Sequence, residues 1–353
     1  MDFAEWSISV QIQIIYLAIC ISIPSMTLYI AEIVSIVRHK KFHNSFYALF
    51  VMRAIPDLLY VLNSFYGLRM PAIIGAVLYP IYSKFPNWML IMFFFLGGQT
   101  LQTNNLVTAF ILLNRLSAII MPIKHEKLWQ KFLPFIIILV YFMPTLLCWP
   151  AFKMNAILIL NDPNSTTDRS FFVTNVGDTT YANYLIYISA VFSTIFLILC
   201  VVLNICTFVA YKLHMKKVRV NGSNNLDDIE KKLLFYALAT FSGHMLVACM
   251  FMIFIITDSK TQAMLIVYYP LIMDTGTVVL SSWLLLWASG TFRQQLIKDY
   301  TIIRKTNIQN IRVHAMAGPR NNNHRAVGGA VGRPPLIAEQ NLQFRTTIDT
   351  NLT

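Results

Sequence analysis

The chain has 353 residues, of which 56% are hydrophobic and only 12% are charged. Soluble domains carry about 25% charged residues, so this composition excludes an ordinary soluble protein and indicates a membrane protein. The formal net charge of +12 is no argument for a nucleic-acid partner, because the basic residues lie at the ends of apolar segments, where they set topology. All five cysteines lie inside apolar segments, so neither a disulfide framework nor a zinc site is expected.

Seven apolar segments are long enough to cross a bilayer, which takes roughly 20 helical residues. They predict an all-α membrane protein with a seven-transmembrane helix bundle over residues 12–288, preceded by a short extracellular N-terminus, residues 1–11. Prolines inside the segments predict kinks, since neighbouring helices can satisfy the freed carbonyl groups. The predicted spans are residues 12–37, 45–66, 88–121, 132–152, 181–211, 232–257 and 263–288.

The basic residues in the predicted loops indicate the orientation of the bundle. The loops after the first, third and fifth spans carry twelve Lys and Arg residues, and the loops after the second, fourth and sixth carry five, including Arg69. The positive-inside rule therefore places the N-terminus outside the cell and the C-terminus in the cytosol. A glycosylation sequon at Asn164, in the longest predicted outer loop, agrees with this orientation.

The chain after the seventh span divides into two parts. Residues 289–306 predict a basic amphipathic helix on the inner membrane leaflet, with Phe292, Leu296 and Tyr300 on its apolar face. Residues 307–353 are rich in Asn, Gly, Arg and Pro, and we expect a disordered cytoplasmic tail. No catalytic or metal-binding motif stands out, so we expect neither an enzyme nor a cofactor.

Four stretches together resemble the nematode chemosensory serpentine receptors of the Srg superfamily, most closely its class V (Srv) branch, with class gamma (Srg) as the second choice. The resemblance implies a G-protein-coupled chemoreceptor in the plasma membrane of sensory neurons. It also implies an unknown small-molecule ligand and a heterotrimeric G protein as partners, and it leaves the oligomeric state open. The stretches are KKFHNSFYALF (40–50), LLNRLSAIIMPIKHEKLW (112–129), EKKLLFYALATFSGH (230–244) and YYPLIMDTGTVVLSSWLLLWASGTFRQQL (268–296).

The sequence departs from rhodopsin-like receptors at three places. Asn114 stands where those receptors carry an acid before the helix 3 arginine, no NPxxY follows Asp274, and no cysteine lies at the outer end of the third span. Two other classes stay open as alternatives. A secondary transporter would show internal repeats, and none is visible. A ligand-gated seven-helix channel of the insect odorant-receptor type would have a cytosolic N-terminus, against the charge distribution.

The third span carries a belt of polar residues at membrane depth. Gln99, Gln102 and Thr103 share one helix face by their i, i+3, i+4 spacing. Such residues either line a ligand pocket or hydrogen-bond neighbouring helices. Aromatic residues in the outer half favour a pocket for a small, mostly apolar ligand, although they also fit an interfacial belt. The predicted pocket residues are Phe94, Gln99, Gln102, Thr103, Tyr187 and Tyr268.

Ionisable residues are also predicted near the bilayer midplane, where they are costly unless paired or hydrated. Arg53 precedes Asp57 by one helical turn, so the two side chains can pair. We expect Arg53, Asp57 and Asp274 to form one buried network between the second and seventh spans, with His244 at similar depth in the sixth. The network serves as a structural clamp, a conformational switch or an ion path.

The cytosolic end of the third span contains Asn114 and Arg115. We expect Glu230, just before the sixth span, to be the resting partner of Arg115, so that release of this contact opens a groove for the G protein. Two simpler roles stay open. Arg115 also fits an interfacial anchor, and Glu230 also fits an acid placed at a helix start by the helix dipole.

Overall fold

The structure is a computed structural model that describes residues 10–160, 169–175, 179–221, 225–257 and 268–301, with only part of the side chains in the fifth and sixth helices. We number the helices in chain order. They are α1 Gln11–Arg38, α2 Ser45–Tyr82, α3 Asn87–Ile120, α4 His125–Cys148, α5 Thr179–Asn221, α6 Asn225–Ile256, α7 Tyr268–Ala288 and α8, residues 290–301.

Six helices in the described ranges are long and apolar enough to cross a membrane. Large apolar side chains such as Val77, Ile138 and Ile198 lie exposed on them, as expected where a helix faces lipid. The chain is therefore a multi-pass membrane protein. The sixth helix contributes only a shorter apolar stretch, Leu238–Met250, so a seventh crossing stays a prediction. The six segments are Gln11–Arg38, Ser45–Tyr82, Asn87–Ile120, His125–Lys153, Asn183–Leu213 and Tyr268–Ala288.

Helix α3 is the central helix of the bundle. Every residue from Gln99 to Ala109 is buried, which is expected of a helix that other helices surround. It packs on α2, α4, α5 and α6. The main apolar core lies between α3 and its neighbours and includes Tyr29, Phe50 and Tyr236. The polar belt of α3 therefore lies inside the protein and not against lipid.

Helix α2 is longer than the sequence analysis predicts. We expected the second span to end at Tyr66, but the helix continues through a π-helical turn, Phe65–Arg69, and then through Met70–Tyr82. A π turn holds one residue more than an α turn and shifts the phase of everything after it. In an unbroken α-helix Leu68 would lie three turns after Asp57, on the same face of the helix. Because the π turn adds one residue, Arg69 occupies that face instead. Arg69 is fully buried, so its assignment to an outer loop was wrong.

A β-hairpin packs over one end of the bundle, which we call the hairpin end. Strand β1, Ala156–Leu160, pairs antiparallel with β2, Phe171–Asn175, with Leu158 opposite Val173. The Asn87 side chain fixes the start of β1, because its Nδ2 donates to the Met154 carbonyl at 2.9 Å and its Oδ1 accepts from the Ala156 N–H at 2.9 Å. The predicted glycosylation residue Asn164 lies outside the described residues.

Helix α8 packs on the first interhelical loop at the opposite end of the bundle. Phe292 and Leu296 are buried, and the Phe292 ring lies 5.1 Å from that of Phe42. Tyr300, which we expected on the same apolar face, is 53% exposed. The predicted disordered tail lies outside the described residues.

Candidate functional site

A cavity of about 440 Å³ opens at the hairpin end of the bundle. Helices α2, α3, α5, α6 and α7 and strand β2 contribute to its wall. Most of the wall is aliphatic or aromatic, and none of the described residues that line it is charged. The lining residues are Tyr60, Asn63, Ser64, Leu68, Phe93, Phe94, Gly97, Gly98, Leu101, Met154, Thr174, Asn175, Leu185, Ile186, Ser189, Met250 and Tyr269.

Glycines make room for this cavity. A Cβ atom on Gly97 would meet only the Asn63 Nδ2, at 3.7 Å, so the space beside it is open. Gly67, in the π turn of α2, lies directly under the Phe93 ring, whose Cδ2 would be 2.0 Å from an added Cβ. A side chain at position 67 would therefore push Phe93 out of the cavity wall.

Three polar atoms of the cavity-lining residues have no hydrogen-bond partner in the described part of the chain. They are Asn63 Oδ1, the Ser64 hydroxyl and Asn175 Oδ1, whereas the Tyr60 hydroxyl bonds the side chain of Tyr269. The Asn63 amide is oriented, because its Nδ2 donates to the Phe93 carbonyl at 2.9 Å. Buried polar atoms are nearly always bonded in folded proteins, so three unbonded atoms around one cavity are sites that a polar group could satisfy.

The cavity contains only one of the residues that the sequence analysis assigned to a pocket, Phe94. Gln99 and Thr103 are buried within the bundle, where the Gln99 Nε2 donates to the Thr103 Oγ1 at 3.3 Å. Gln102 is also fully buried, and neither its Nε2 nor its Oε1 has a partner in the described ranges. Tyr187 is 61% exposed on α5, and the predicted Tyr268 does not line the cavity, whereas its neighbour Tyr269 does.

A first buried ionic cluster joins α1, α2 and α3. The Arg53 Nε lies 3.5 Å from the Asp57 Oδ2, at the i, i+4 spacing that the sequence shows. The Tyr29 hydroxyl donates to the same carboxylate at 3.0 Å and the Asn104 Nδ2 at 2.8 Å. All four side chains are buried. The side chain of His244, predicted at similar depth, lies outside the described residues.

A second buried cluster joins α1, α2 and α7. Asp274 accepts from the Arg69 guanidinium and from the Ser22 hydroxyl, and Arg69 Nη1 donates to the Ser22 Oγ at 3.3 Å. The structure thus places Asp274 with Arg69 and not with Arg53 and Asp57, and the ionisable residues form two clusters instead of the expected one. The sequence contained a signal for Arg69, because Met70–Tyr82 is too apolar for an outer loop.

Comparison with known proteins places this bundle in a family. The sequence model of the Srg family chemoreceptors matches residues 11–296, which cover all six of the described helices that are long and apolar enough to cross a membrane. The chain belongs to the Srg family of chemoreceptors. It is thus a membrane receptor of the serpentine type, as the sequence analysis predicts. The match does not support class V specifically.

One curated relative shows a similar segment. The Srg-family chain is 27% identical to the serpentine receptor class gamma-9 of Caenorhabditis elegans over 117 residues, which are 32% of this chain and 35% of the relative. The matched segment thus spans about a third of the relative's length.

At the end opposite the hairpin, the Srg-family receptor ties three helices together through Asn114. The Asn114 Nδ2 donates to the Ser45 Oγ at 3.0 Å, and Ser45 donates to the Glu126 Oε2 at 2.9 Å. Ser117, one turn after Asn114, bonds His125 at 3.1 Å and accepts from the Trp129 indole N–H at 2.8 Å. The starts of α2 and α4 thereby attach to the end of α3.

Arg115 lies beside this cluster with its guanidinium carbon 3.7 Å from the centroid of the Phe46 ring. The ring of Phe46 also packs at 5.8 Å on that of Tyr236 from α6. The side chain of Glu230 lies outside the described residues, so its contact with Arg115 stays a prediction. Glu32 on α1 is a buried acid at this end that sequence reasoning missed.

Proposed function

We propose that this chain is a G-protein-coupled chemosensory receptor of the sensory-neuron plasma membrane that binds a small external ligand in the hairpin-end cavity. The observation that carries the proposal is the cavity itself. It has the size and apolar wall of a small-molecule site, it lies at one end of a family chemoreceptor, and three polar atoms of its lining residues lack hydrogen-bond partners in the described ranges.

The proposed topology has seven crossings with the N-terminus and the hairpin end outside. The apolar stretch Leu238–Met250 in α6 and the excess of basic residues in alternate loops support it. We expect an epitope at residue 1 to be stained on intact cells and an epitope at residue 353 only after permeabilisation. The reverse pattern would favour the channel alternative, which has a cytosolic N-terminus.

Signalling is proposed to proceed by separation of the cytosolic ends of α3 and α6, with Arg115 and Glu230 in contact in the resting state. The position of Arg115 beside Phe46 and Tyr236, at the junction of α2, α3 and α6, supports this placement. Glu230→Ala should raise signalling without ligand, and Asp228→Ala, which removes a nearby acid, should not. Unchanged basal signalling in Glu230→Ala would refute the contact and leave ligand binding untouched.

The proposed function is tested by a ligand screen in cells that carry the receptor and a calcium or cAMP reporter. At least one small molecule should produce a saturable response that cells without the receptor do not show. A response that persists when heterotrimeric G proteins are blocked would contradict the proposal and favour a channel.

We also propose that the chain belongs to the class V branch, on the resemblance of the four stretches given in the sequence analysis. The relative reported above belongs to class gamma, so the two branches compete. A tree built from complete sets of both classes decides between them, and placement inside class gamma would refute this assignment.

A further inference from the structure

The cavity also indicates what kind of molecule it binds. We propose that the ligand is a neutral molecule with an apolar body and one polar end that donates a hydrogen bond, such as an alcohol, a phenol or a primary amide. This inference rests on the proposed function, because it assigns a ligand class to the same cavity.

The neutral charge follows from the cavity wall. None of the described residues that line the cavity is charged, so a carboxylate or an ammonium ion would enter without a counter-ion. The ionic groups of the two buried clusters are already paired: Asp274 contacts Arg69, and Asp57 contacts Arg53. None of these four residues lines the cavity. A neutral ligand therefore avoids a desolvation penalty that an ion could not recover.

The hydrogen-bond donor follows from the chemistry of the unpartnered atoms. Asn63 Oδ1 and Asn175 Oδ1 are carbonyl oxygens, which only accept, so only a donor on the ligand can satisfy them. The amide of Asn63 cannot simply reverse, because its Nδ2 donates to the Phe93 carbonyl. The hydroxyl of Ser64 can donate or accept and so complete the bonds of a hydroxyl or amide group. An ether or a ketone, with acceptors alone, would leave both asparagine oxygens unbonded.

The apolar body follows from the rest of the wall. Phe93, Phe94, Leu101, Leu185 and Met250 supply aromatic and aliphatic surface without a polar atom. The cavity of about 440 Å³ lies in the range of small-molecule sites.

A panel of matched probes tests the proposal by direct binding to the purified full-length receptor in lipid nanodiscs. The panel contains linear and aryl alcohols of about six to twelve heavy atoms, each with its methyl ether, carboxylic acid and primary amine. At least one alcohol should bind about tenfold or more tightly than its ether, which lacks the donor, and than its acid and amine. Equal binding of alcohols and ethers, tighter binding of an ion, or no binding by any alcohol would overturn the proposal.

Variants then locate the donor contact. The alcohol-to-ether affinity ratio should fall about tenfold, toward one, in Asn63→Leu or in Asn175→Leu. The matched control is Asn204→Leu, because the Asn204 side chain donates within its own helix to the Cys200 carbonyl and does not line the cavity. A ratio that stays unchanged in both cavity variants would show that neither asparagine accepts from the ligand.

The two proposals fail in different ways in this design. An alcohol that binds the purified receptor with the expected ratio but evokes no G-protein response in cells would refute the proposed function and leave the ligand class standing. A carboxylic acid or an amine that both binds and signals would refute the ligand class and leave the proposed function standing.

Discussion

The buried pair of Arg69 and Asp274 links α2 to α7 where neither charge reaches water. Each residue has a second partner in Ser22 on α1, so three helices meet at one carboxylate. Because a lone charge in such a place is costly, the two residues should depend on each other for stability. A buried ion pair thus connects helices that lie far apart in the sequence.

Removal of either member of this pair should destabilise the receptor strongly. Arg69→Met or Asp274→Leu leaves an uncompensated buried charge and should cost about 3–5 kcal/mol, whereas the double variant should recover a large part of that loss. Thermal unfolding of the purified receptor measures all three variants, with Arg293→Met at an exposed position as the control. Strictly additive effects would contradict a direct pair.

The residue scale also shows where sequence reasoning works and where it stops. The Arg53–Asp57 pair could be predicted because both residues lie on one helix and the i, i+4 spacing fixes their separation. The pairing of Asp274 with Arg69 could not be predicted, because the face of α2 on which Arg69 lies is set by the π turn Phe65–Arg69. Unbonded atoms such as Asn175 Oδ1 have no sequence signal, since bonding depends on what surrounds the residue.

At the scale of elements, α6 and α7 approach each other closely at two glycines. A Cβ on Gly243 would lie 2.5 Å from the Gly276 carbonyl oxygen, which belongs to the π turn Thr275–Val279 of α7. These neighbouring atoms belong to the backbone, which cannot rotate away as a side chain can. The two helices can therefore stay this close only while both positions are glycine.

Gly243→Ala should therefore separate α6 from α7 and destabilise the receptor by about 1–3 kcal/mol through overpacking. Gly290→Ala is the matched control, because nothing lies within 4 Å of a Cβ at that position. Thermal unfolding of the two purified variants measures the difference. If Gly243→Ala proves as stable as Gly290→Ala, the close approach of the helices is refuted.

Helix α8 is held by one carboxylate at the level of the first interhelical loop. Asp299 accepts from Ser35 at 3.0 Å, from Gln295 at 2.9 Å and from His39 at 3.0 Å, and Lys41 donates to Gln295 at 2.7 Å. Burial tends to raise the pKa of Asp299, but the bonds from Gln295, His39 and Ser35 outweigh it and hold that pKa below its ordinary value.

The pH dependence of this contact follows from the lowered pKa. A carboxylate whose pKa is lowered in the folded state stabilises the fold at pH values above its unfolded pKa of about 4. That stabilisation is lost as the pH falls through the folded-state pKa. The α8 amides should therefore stay protected from hydrogen exchange at neutral pH and lose protection only at strongly acidic pH. Asp299→Asn should reduce protection at neutral pH, while the exposed Lys298→Gln should not; equal protection in both would contradict the role of Asp299.

At the scale of the whole molecule, the architecture was the easiest feature to predict. Apolar segments of bilayer length indicated a bundle of membrane helices, and six of them are present in the described ranges. The cavity could not be predicted at all from the helix pattern, since it is formed by side chains from five helices and a hairpin. The polar residues of α3 that were predicted to line a pocket, Gln99, Gln102 and Thr103, are buried between helices and do not line the cavity. The reason is that other helices surround this part of α3.

The proposed receptor function requires that the external ligand occupies the hairpin-end cavity. The direct measurement is the dose-response curve of a signalling ligand on the wild type, Gly97→Ala and Gly97→Leu receptors at equal surface expression. A Cβ at position 97 meets nothing closer than 3.7 Å, so alanine should leave potency nearly unchanged, whereas leucine should fill the cavity and lower potency about a hundredfold or abolish the response. Equal potency in Gly97→Leu and wild type would contradict the claim.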